Sequence, residues 1–202
     1  MLDIVIRGGW MMIPIVACSV IGVAIAIERL MFFTSIRQSA VAARMLKLIE
    51  QGKDVDALAL AERHPSPLAR VLAAGILHRA EDPQKAMEAK GIEEVSRMKR
   101  GLPILDTVIT LGPLLGLLGT IIGMIQSFGI MAKSGLGTPH AVTGGVAEAL
   151  ICTAAGIFVA VTNLVPYNYF LSRVEQETAR IEQYATQAEV LLANSSPTED
   201  HQ

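Results

Sequence analysis

A carboxylate in the second half of the chain has the clearest potential for chemistry. Glu148 stands in the run 144–150, whose other members are all small or apolar. Keeping a carboxylate ionised in hydrocarbon costs a few kcal/mol or more, so such a group normally faces a bundle interior or a wet cavity, or stays protonated. Glu148 is therefore a candidate proton site.

The alternative is an interfacial Glu148 whose carboxylate reaches the membrane surface. The 24 uncharged residues from Ala149 to Ser172 could cross a bilayer without it. Residues 141–147 are also uncharged, however, and at 1.5 Å per residue they place Glu148 about 10 Å along the helix from the loop. We therefore favour the deep position.

Two hydroxyls, Thr120 and Thr153, lie in the Gly-rich faces of the predicted second and third spans. A hydroxyl both donates and accepts a hydrogen bond, as a proton relay or a pore lining requires. The alternative is that each bonds a carbonyl one turn back in its own helix. Glu148 and Thr153 are about 140° apart on an ideal helix, so neighbouring helices would have to complete a shared site.

Four glycines recur along one predicted helix face with spacings of 4, 3 and 4: Gly112, Gly116, Gly119 and Gly123. In lipid, apolar side chains gain nothing by leaving equally apolar tails, and small residues drive helix association by letting backbones approach. This helix-packing face predicts a tight bundle or an oligomer.

The elements that must position these residues are membrane helices. The chain is 51 % hydrophobic, 4 % aromatic and 18 % charged, and uncharged runs of 20 to 26 residues cover 8–27, 107–132 and 149–172. Each run is long enough to cross a hydrocarbon core. We predict an all-α integral membrane protein with three long transmembrane helices; the alternative is a soluble bundle with unusually apolar central helices.

The composition divides the chain into five predicted parts. These are a first span (1–33), a cytoplasmic helical segment (34–101), spans two and three (102–172), a cytoplasmic C-terminal helix (173–193) and a disordered tail (194–202). In the second part, breaks at Gly52, Pro65, Pro67 and Asp82-Pro83 predict three or four short helices. In the fourth, an apolar stripe requires a partner helix: Val174, Ile181, Tyr184, Ala188 and Leu191.

The distribution of basic residues predicts the orientation. Segment 34–101 carries twelve Lys or Arg, whereas the connection 133–141 carries one. Lys and Arg concentrate in cytoplasmic loops. We expect a multi-pass protein of a bacterial inner membrane with a periplasmic N-terminus and a cytoplasmic C-terminus.

The remaining polar groups predict no further chemistry. Glu28 and Asp106 are read as boundary residues at span ends, and Asn163 as an interhelical hydrogen-bond partner. Cys18 and Cys152 lie inside spans, where a free Cys behaves as a small apolar residue. The His spacing predicts no metal site, and we find no cofactor motif, no enzyme active-site motif and no basic stripe for nucleic acid.

Two motifs in order resemble the MotA/TolQ/ExbB proton-channel family. Within 111–128, Gly119-Thr120 matches the Gly-rich second span, and within 144–156, Ala147-Glu148-Ala149-Leu150 followed by Thr153 matches the third. Three spans and a long first cytoplasmic segment are similar to the ExbB and TolQ branch rather than to the four-span MotA proteins, and we prefer ExbB.

This resemblance implies a ring, a pentamer of this chain in membrane lipid, around helices of a smaller single-span partner similar to ExbD or TolR. That partner carries an intramembrane Asp, and Glu148, Thr120 and Thr153 would line the interior. Proton flow would drive a TonB-like or TolA-like protein, and each proton crossing 100 mV supplies about 2.3 kcal/mol.

The function we predict is a non-enzymatic proton-channel subunit that energises TonB-dependent outer-membrane transport. The alternatives are a TolQ-like subunit of the Tol-Pal system and a scaffold that conducts no ions. A self-contained secondary transporter is disfavoured because three spans supply no inverted-repeat pair.

Overall fold

A computed structural model of the chain describes residues 8–35, 39–134 and 139–194. These residues form helices and turns with no strand among them, so the all-α prediction is confirmed. The helices are α1 (Met12–Ser35), α2 (Ser39–Glu50), α3 (Asp54–Arg63), α4 (Pro67–Leu77), α5 (Pro83–Lys99), α6 (Leu102–Ser134) and α7 (Pro139–Asn194). The predicted disordered tail begins at residue 194, and all of it beyond Asn194 lies outside the described residues.

Three helical stretches are long and apolar enough to cross a membrane, and they include α1, α6 and α7. The prediction of three long membrane helices is thereby confirmed. Between 17 % and 33 % of the residues in their most apolar windows are buried. Most of this apolar surface is therefore left for lipid or for other chains.

The predicted breaks between spans one and two are confirmed, and each has a local cause. Gly52 follows α2 with a φ of +70°, a conformation that suits glycine. Ser66 and Asp82 are N-caps whose side chains accept backbone N–H groups of α4 and α5, and each is followed by Pro67 or Pro83 at the first helical position. Four short helices result.

The chain forms two compact units. Unit 1 comprises residues 1–30 and 101–170, and unit 2 comprises residues 31–100 and 171–202. Unit 1 contains α6, most of α1 and the first part of α7. Unit 2 contains the four short helices and the last part of α7.

Unit 1 has a small apolar core where the start of α1 meets α6 and α7. Its buried members are Met11, Met12, Ile15, Val108, Cys152 and Val159. The first uncharged run begins at Gly8, whereas α1 begins at Met12. Gly9 has a φ of +69° and its carbonyl accepts the Met12 N–H at 3.2 Å, so these residues form a turn before the helix.

In unit 2 the apolar stripe of α7 has a partner helix. Val174, Ile181 and Ala188 are at most 5 % exposed. A Cβ atom on Gly91 of α5 would lie 3.5 Å from the Ile181 Cγ2, which is ordinary van der Waals contact. The stripe therefore packs on α5 through a position where α5 has no side chain.

Candidate functional site

The second and third membrane helices pack through small residues. A Cβ atom placed on Gly112 of α6 would lie 2.7 Å from the carbonyl oxygen of Gly156 in α7. One on Gly116 would lie 3.0 Å from the Cys152 carbonyl oxygen, and one on Gly119 would lie 2.7 Å from the Cys152 Cβ. These distances leave no room for a side chain, so the two helices meet backbone against backbone.

The same contact continues beyond these positions. A Cβ atom on Gly123 would lie 3.0 Å from the Ala149 Cβ. One turn further, buried Ser127 lies against Gly145, and its hydroxyl donates to the Gly123 carbonyl oxygen at 2.8 Å. The small-residue face of α6 thus runs through five positions with spacings of 4, 3, 4 and 4.

The facing surface of α7 repeats this pattern. Its small residues Gly145, Ala149, Cys152, Gly156 and Ala160 also follow one another at spacings of 4, 3, 4 and 4. Sequence reasoning identified the glycines of α6 but missed Ser127 and the complementary face. The shared spacing was the signal that could have found both.

The two threonines have different environments. The Thr153 hydroxyl donates across the α6–α7 contact to the Gly116 carbonyl oxygen at 3.1 Å. The Thr120 hydroxyl donates to the Leu117 carbonyl oxygen of its own helix at 2.6 Å. Thr153 therefore joins two helices, whereas Thr120 makes the local bond that is common for threonine in membrane helices.

Glu148 lies against the turn that precedes α1. Its side chain is half-buried, and a Cβ atom placed on Gly9 would overlap its Oε1 and lie 2.8 Å from its Cδ. Within the part of the chain that the structure describes, no group donates a hydrogen bond to this carboxylate. A half-buried carboxylate needs hydrogen-bond donors or a bound proton to satisfy it.

Cys152, one helical turn after Glu148, touches the same turn. It is 1 % exposed, and its thiol donates to the Gly8 carbonyl oxygen at 2.9 Å. Glu148 and Cys152 thus contact two consecutive glycines that precede α1. We predicted a purely apolar role for Cys152, so this polar contact was missed.

Further along the first membrane helix, α1 meets α7 at an amide. Asn163 is 2 % exposed, and its Oδ1 occupies the space that a Cβ atom on Gly22 would need. Its amide N–H donates to the Val159 carbonyl oxygen of its own helix at 2.8 Å. Asn163 therefore lies at the contact between α1 and α7, and its amide N–H is hydrogen-bonded within α7.

The charged residues at the ends of these helices differ in exposure. Glu28 and Asp106 are exposed, whereas neighbouring Arg29 is 3 % exposed. The Arg29 guanidinium donates to the Glu28 carboxylate at 2.7 Å from Nε and packs near Gly101, which links α5 to α6 with a φ of +84°. Among the described residues, no group of three or more His, Cys, Asp or Glu could hold a metal ion.

These features define a multi-pass membrane protein whose helices pack through backbone contacts beside a membrane-level carboxylate. Residues 63–183, more than half of the chain, match the MotA/TolQ/ExbB proton channel family, and the chain belongs to that family. It is therefore a multi-pass inner-membrane protein and a proton-channel subunit of the ExbB/TolQ type. The family is one of channels rather than of enzymes.

Named relatives cover most of the chain. It is 32 % identical over 191 residues to the putative biopolymer transport protein ExbB-like 3 of Synechocystis sp., covering 91 % of each chain. It is 35 % identical over 187 residues to ExbB-like 1 of the same organism, covering 88 % of this chain and 73 % of the relative. The Tol-Pal system protein TolQ of Pseudomonas aeruginosa is 34 % identical over 116 residues, which cover 57 % of this chain and 50 % of TolQ.

Proposed function

We propose that this chain is an ExbB-type subunit that uses the proton-motive force to energise TonB-dependent outer-membrane transport. It acts as a homo-oligomer, a pentamer, around a single-span partner of the ExbD or TolR kind, and drives a TonB-like or TolA-like protein. Two relatives named ExbB-like align over 91 % and 88 % of the chain, against 57 % for TolQ. These two long alignments support the ExbB role, while ExbB of Xanthomonas campestris aligns over 59 % of the chain, about as much as TolQ does.

One observation carries the proton role: Glu148 is a half-buried carboxylate beside apolar helices, with no donor among the described residues. In this proposal it alternates between the protonated form and the ionised form, and water or the partner's acid exchanges the proton with it. Thr120 and Thr153 complete the polar lining. The Thr153 hydroxyl keeps acceptor capacity while it donates to Gly116, so water can donate to it.

The exposed apolar surface supports the oligomer. Large side chains on all three membrane helices are at least 40 % exposed, including Ile13, Leu117 and Phe158. A ring covers part of this surface with neighbouring subunits and leaves the rest to lipid. The glycine face is already used inside the subunit, so ring contacts are made by the remaining faces of these helices.

The orientation in this proposal places segment 34–101 and the C-terminal part of α7 in the cytoplasm, with the N-terminus in the periplasm. Twelve Lys or Arg in that segment support it, since basic residues next to membrane helices favour the cytoplasmic side. Arg97, Lys99 and Arg100 lie close enough to α6 to contribute.

The test begins with native mass spectrometry of the detergent-purified chain, expressed alone and with a single-span partner that bears an intramembrane Asp. The proposal expects a closed homo-oligomer that takes up the partner. The same complex with Glu148→Ala should assemble at the same stoichiometry yet fail to support siderophore uptake in cells. A monomer that ignores the partner, or full uptake with Glu148→Ala, would overturn the proposal.

A TolQ role is the second candidate, and the match to the Pseudomonas aeruginosa protein favours it. Genetic complementation distinguishes the ExbB role from the TolQ role. Restoring TonB-dependent uptake in a strain without ExbB supports the first role, whereas restoring detergent resistance in a strain without TolQ supports the second. Assembly with a partner but no proton-dependent activity in either strain would indicate a scaffold.

A further inference from the structure

The turn before α1 has a defined conformation. The Gly9 and Trp10 carbonyl oxygens accept the N–H groups of Met12 at 3.2 Å and Ile13 at 3.1 Å. Gly9 has a φ of +69°. Met11 and Met12 follow at 5 % and 4 % exposure in the core of unit 1. The turn is therefore anchored on the membrane helices by these two side chains.

This anchored turn leaves no space between the Gly9 backbone and the Glu148 carboxyl group. A Cβ atom on Gly9 would overlap Oε1, lie 2.8 Å from Cδ and lie 3.5 Å from Cγ of Glu148. Those atoms are the far end of a flexible side chain, so a methyl group at position 9 would displace the carboxylate rather than the helix. Only glycine allows the carboxylate to rest where it does.

A second contact holds the turn over the same part of α7. The Cys152 thiol donates to the Gly8 carbonyl oxygen at 2.9 Å. Residues 148 and 152 are one helical turn apart and share a face of α7. Two consecutive glycines of the turn thus meet Glu148 and Cys152, which are one helical turn apart.

We propose that Gly9 is a positioning residue for Glu148, and that the turn of residues 8–11 covers one side of its carboxylate. This cover limits access to the group from the α1 side. The role in proton transfer rests on the proposed function, whereas the position of the carboxylate does not.

The test compares Gly9→Ala with Gly52→Ala. Both glycines have nearly the same φ, +69° and +70°, but a Cβ atom on Gly52 would meet nothing within 4 Å. Both variants therefore carry the same backbone strain, and only Gly9→Ala displaces the Glu148 carboxylate. The readout is the rate at which a lipid-soluble carbodiimide modifies Glu148 in the reconstituted protein, measured by peptide mass spectrometry with exposed Glu182 as the internal reference.

We expect a several-fold faster modification of Glu148 in Gly9→Ala and an unchanged rate in Gly52→Ala. Adding Glu148→Asp to Gly9→Ala shortens the acidic side chain and should return the rate at position 148 toward that of the Glu148→Asp single variant. An unchanged rate in Gly9→Ala, or equal increases in both glycine variants, would overturn the proposal.

A second variant, Cys152→Ala, tests the cover over Glu148 even if Gly9→Ala does not fold. Cys152→Ala keeps the Cβ atom that packs on Gly119 and removes the thiol that bonds Gly8. It should raise the Glu148 modification rate less than Gly9→Ala does, and no change in it would count against the cover. If modification rises in Gly9→Ala while proton-driven uptake stays at the wild-type level, the positioning role stands and the proton role of Glu148 falls.

Discussion

Different interactions stabilise each of the two units of this chain internally. In unit 1, α6 and α7 meet through glycine, alanine, serine and cysteine, with backbone atoms in contact. In unit 2, buried Glu94 of α5 binds the Arg70 guanidinium of α4 at 3.0 Å and the Arg97 guanidinium at 3.4 Å. Close approach of backbones stabilises the first unit, and an apolar core with ion pairs stabilises the second.

The surroundings of each unit explain this difference. Lipid tails are as apolar as leucine, so unit 1 gains little from burying large side chains and gains most from close contact. The short helices of unit 2 instead carry charged residues on α2, α3 and α5, and there the burial of Met45, Ile49 and Leu72 removes apolar area from water. The α6–α7 contact of unit 1 therefore uses small residues, whereas the cluster of short helices in unit 2 buries large ones.

The largest expected effect comes from breaking the glycine contact. A side chain on Gly156 would meet the backbone of Gly112 and Gly116, which cannot move aside. Gly156→Leu should cost more than the about 1–3 kcal/mol that a few extra methylene groups cost in a packed core. The measurement is the midpoint of SDS-induced unfolding, followed by circular dichroism.

The matched control for this change is Gly144→Leu. Gly144 lies in the same helix, and a Cβ atom there would meet nothing within 4 Å. Its unfolding midpoint should stay close to that of the wild type. Equal losses in the two variants would mean that the α6–α7 contact has no special need for glycine.

A smaller effect is expected in unit 2 from Glu94→Ala. This change removes the acceptor for Arg70 and Arg97, and should destabilise α4 and α5 by about 2 kcal/mol. The cost stays below that of a fully buried charge because the Arg70 side chain is 37 % exposed and can turn to water. Amide hydrogen exchange of the two helices in the full chain measures it.

The neighbouring acid provides the control for that experiment. Glu93 is 53 % exposed and pairs with Lys90 on the surface. Glu93→Ala should therefore leave hydrogen exchange in α4 nearly unchanged. If both variants lose protection equally, the burial of Glu94 contributes nothing beyond an ordinary surface pair.

The smallest effect concerns acid sensitivity at the start of α5. The Lys85 ammonium and the Lys85 N–H bond the Asp82 carboxylate and hold its pKa below the ordinary value of 3.8. A lowered folded pKa means that this stabilisation is complete above about pH 3.8 and is lost as the pH falls through the folded value. Hydrogen exchange at the first turn of α5, corrected for intrinsic rates, should accelerate as the pH falls below about 3.8.

Two comparisons check this assignment. Asp82→Asn keeps a capping side chain that does not titrate, and should remove the extra acceleration. The α4 cap is Ser66, which does not titrate either, so the first turn of α4 should show no such change. Acceleration that persists in Asp82→Asn would assign the acid response to another group.

The fold could be predicted almost entirely from the sequence. Uncharged runs of 20 or more residues have one stable outcome in lipid, and Ser66-Pro67 and Asp82-Pro83 are strong signals for helix starts. The start of α1 differed because hydropathy counts Gly8 to Met11 as part of the apolar run. A hydropathy pattern does not show that Gly9 adopts a positive φ, so that the regular helix begins only after this residue.

The sequence singles out Glu148 as a candidate site residue, but it does not reveal which groups surround it. Glu148 is visible as a carboxylate in an apolar run, whereas its contact with Gly9 joins positions 139 residues apart in the chain. Thr153 illustrates the same limit, because its type suggests a polar lining while its bond to Gly116 depends on how two helices pair. Its role and that of Thr120 in a proton pathway stay predictions.

The most direct test measures proton uptake into proteoliposomes that contain the chain with its single-span partner, under an imposed membrane potential. The compared variants are Glu148→Gln in unit 1 and Glu182→Gln in unit 2, both in complexes of wild-type stoichiometry. The account predicts that Glu148→Gln abolishes uptake while Glu182→Gln retains it. Proton uptake that is unchanged in Glu148→Gln would contradict it.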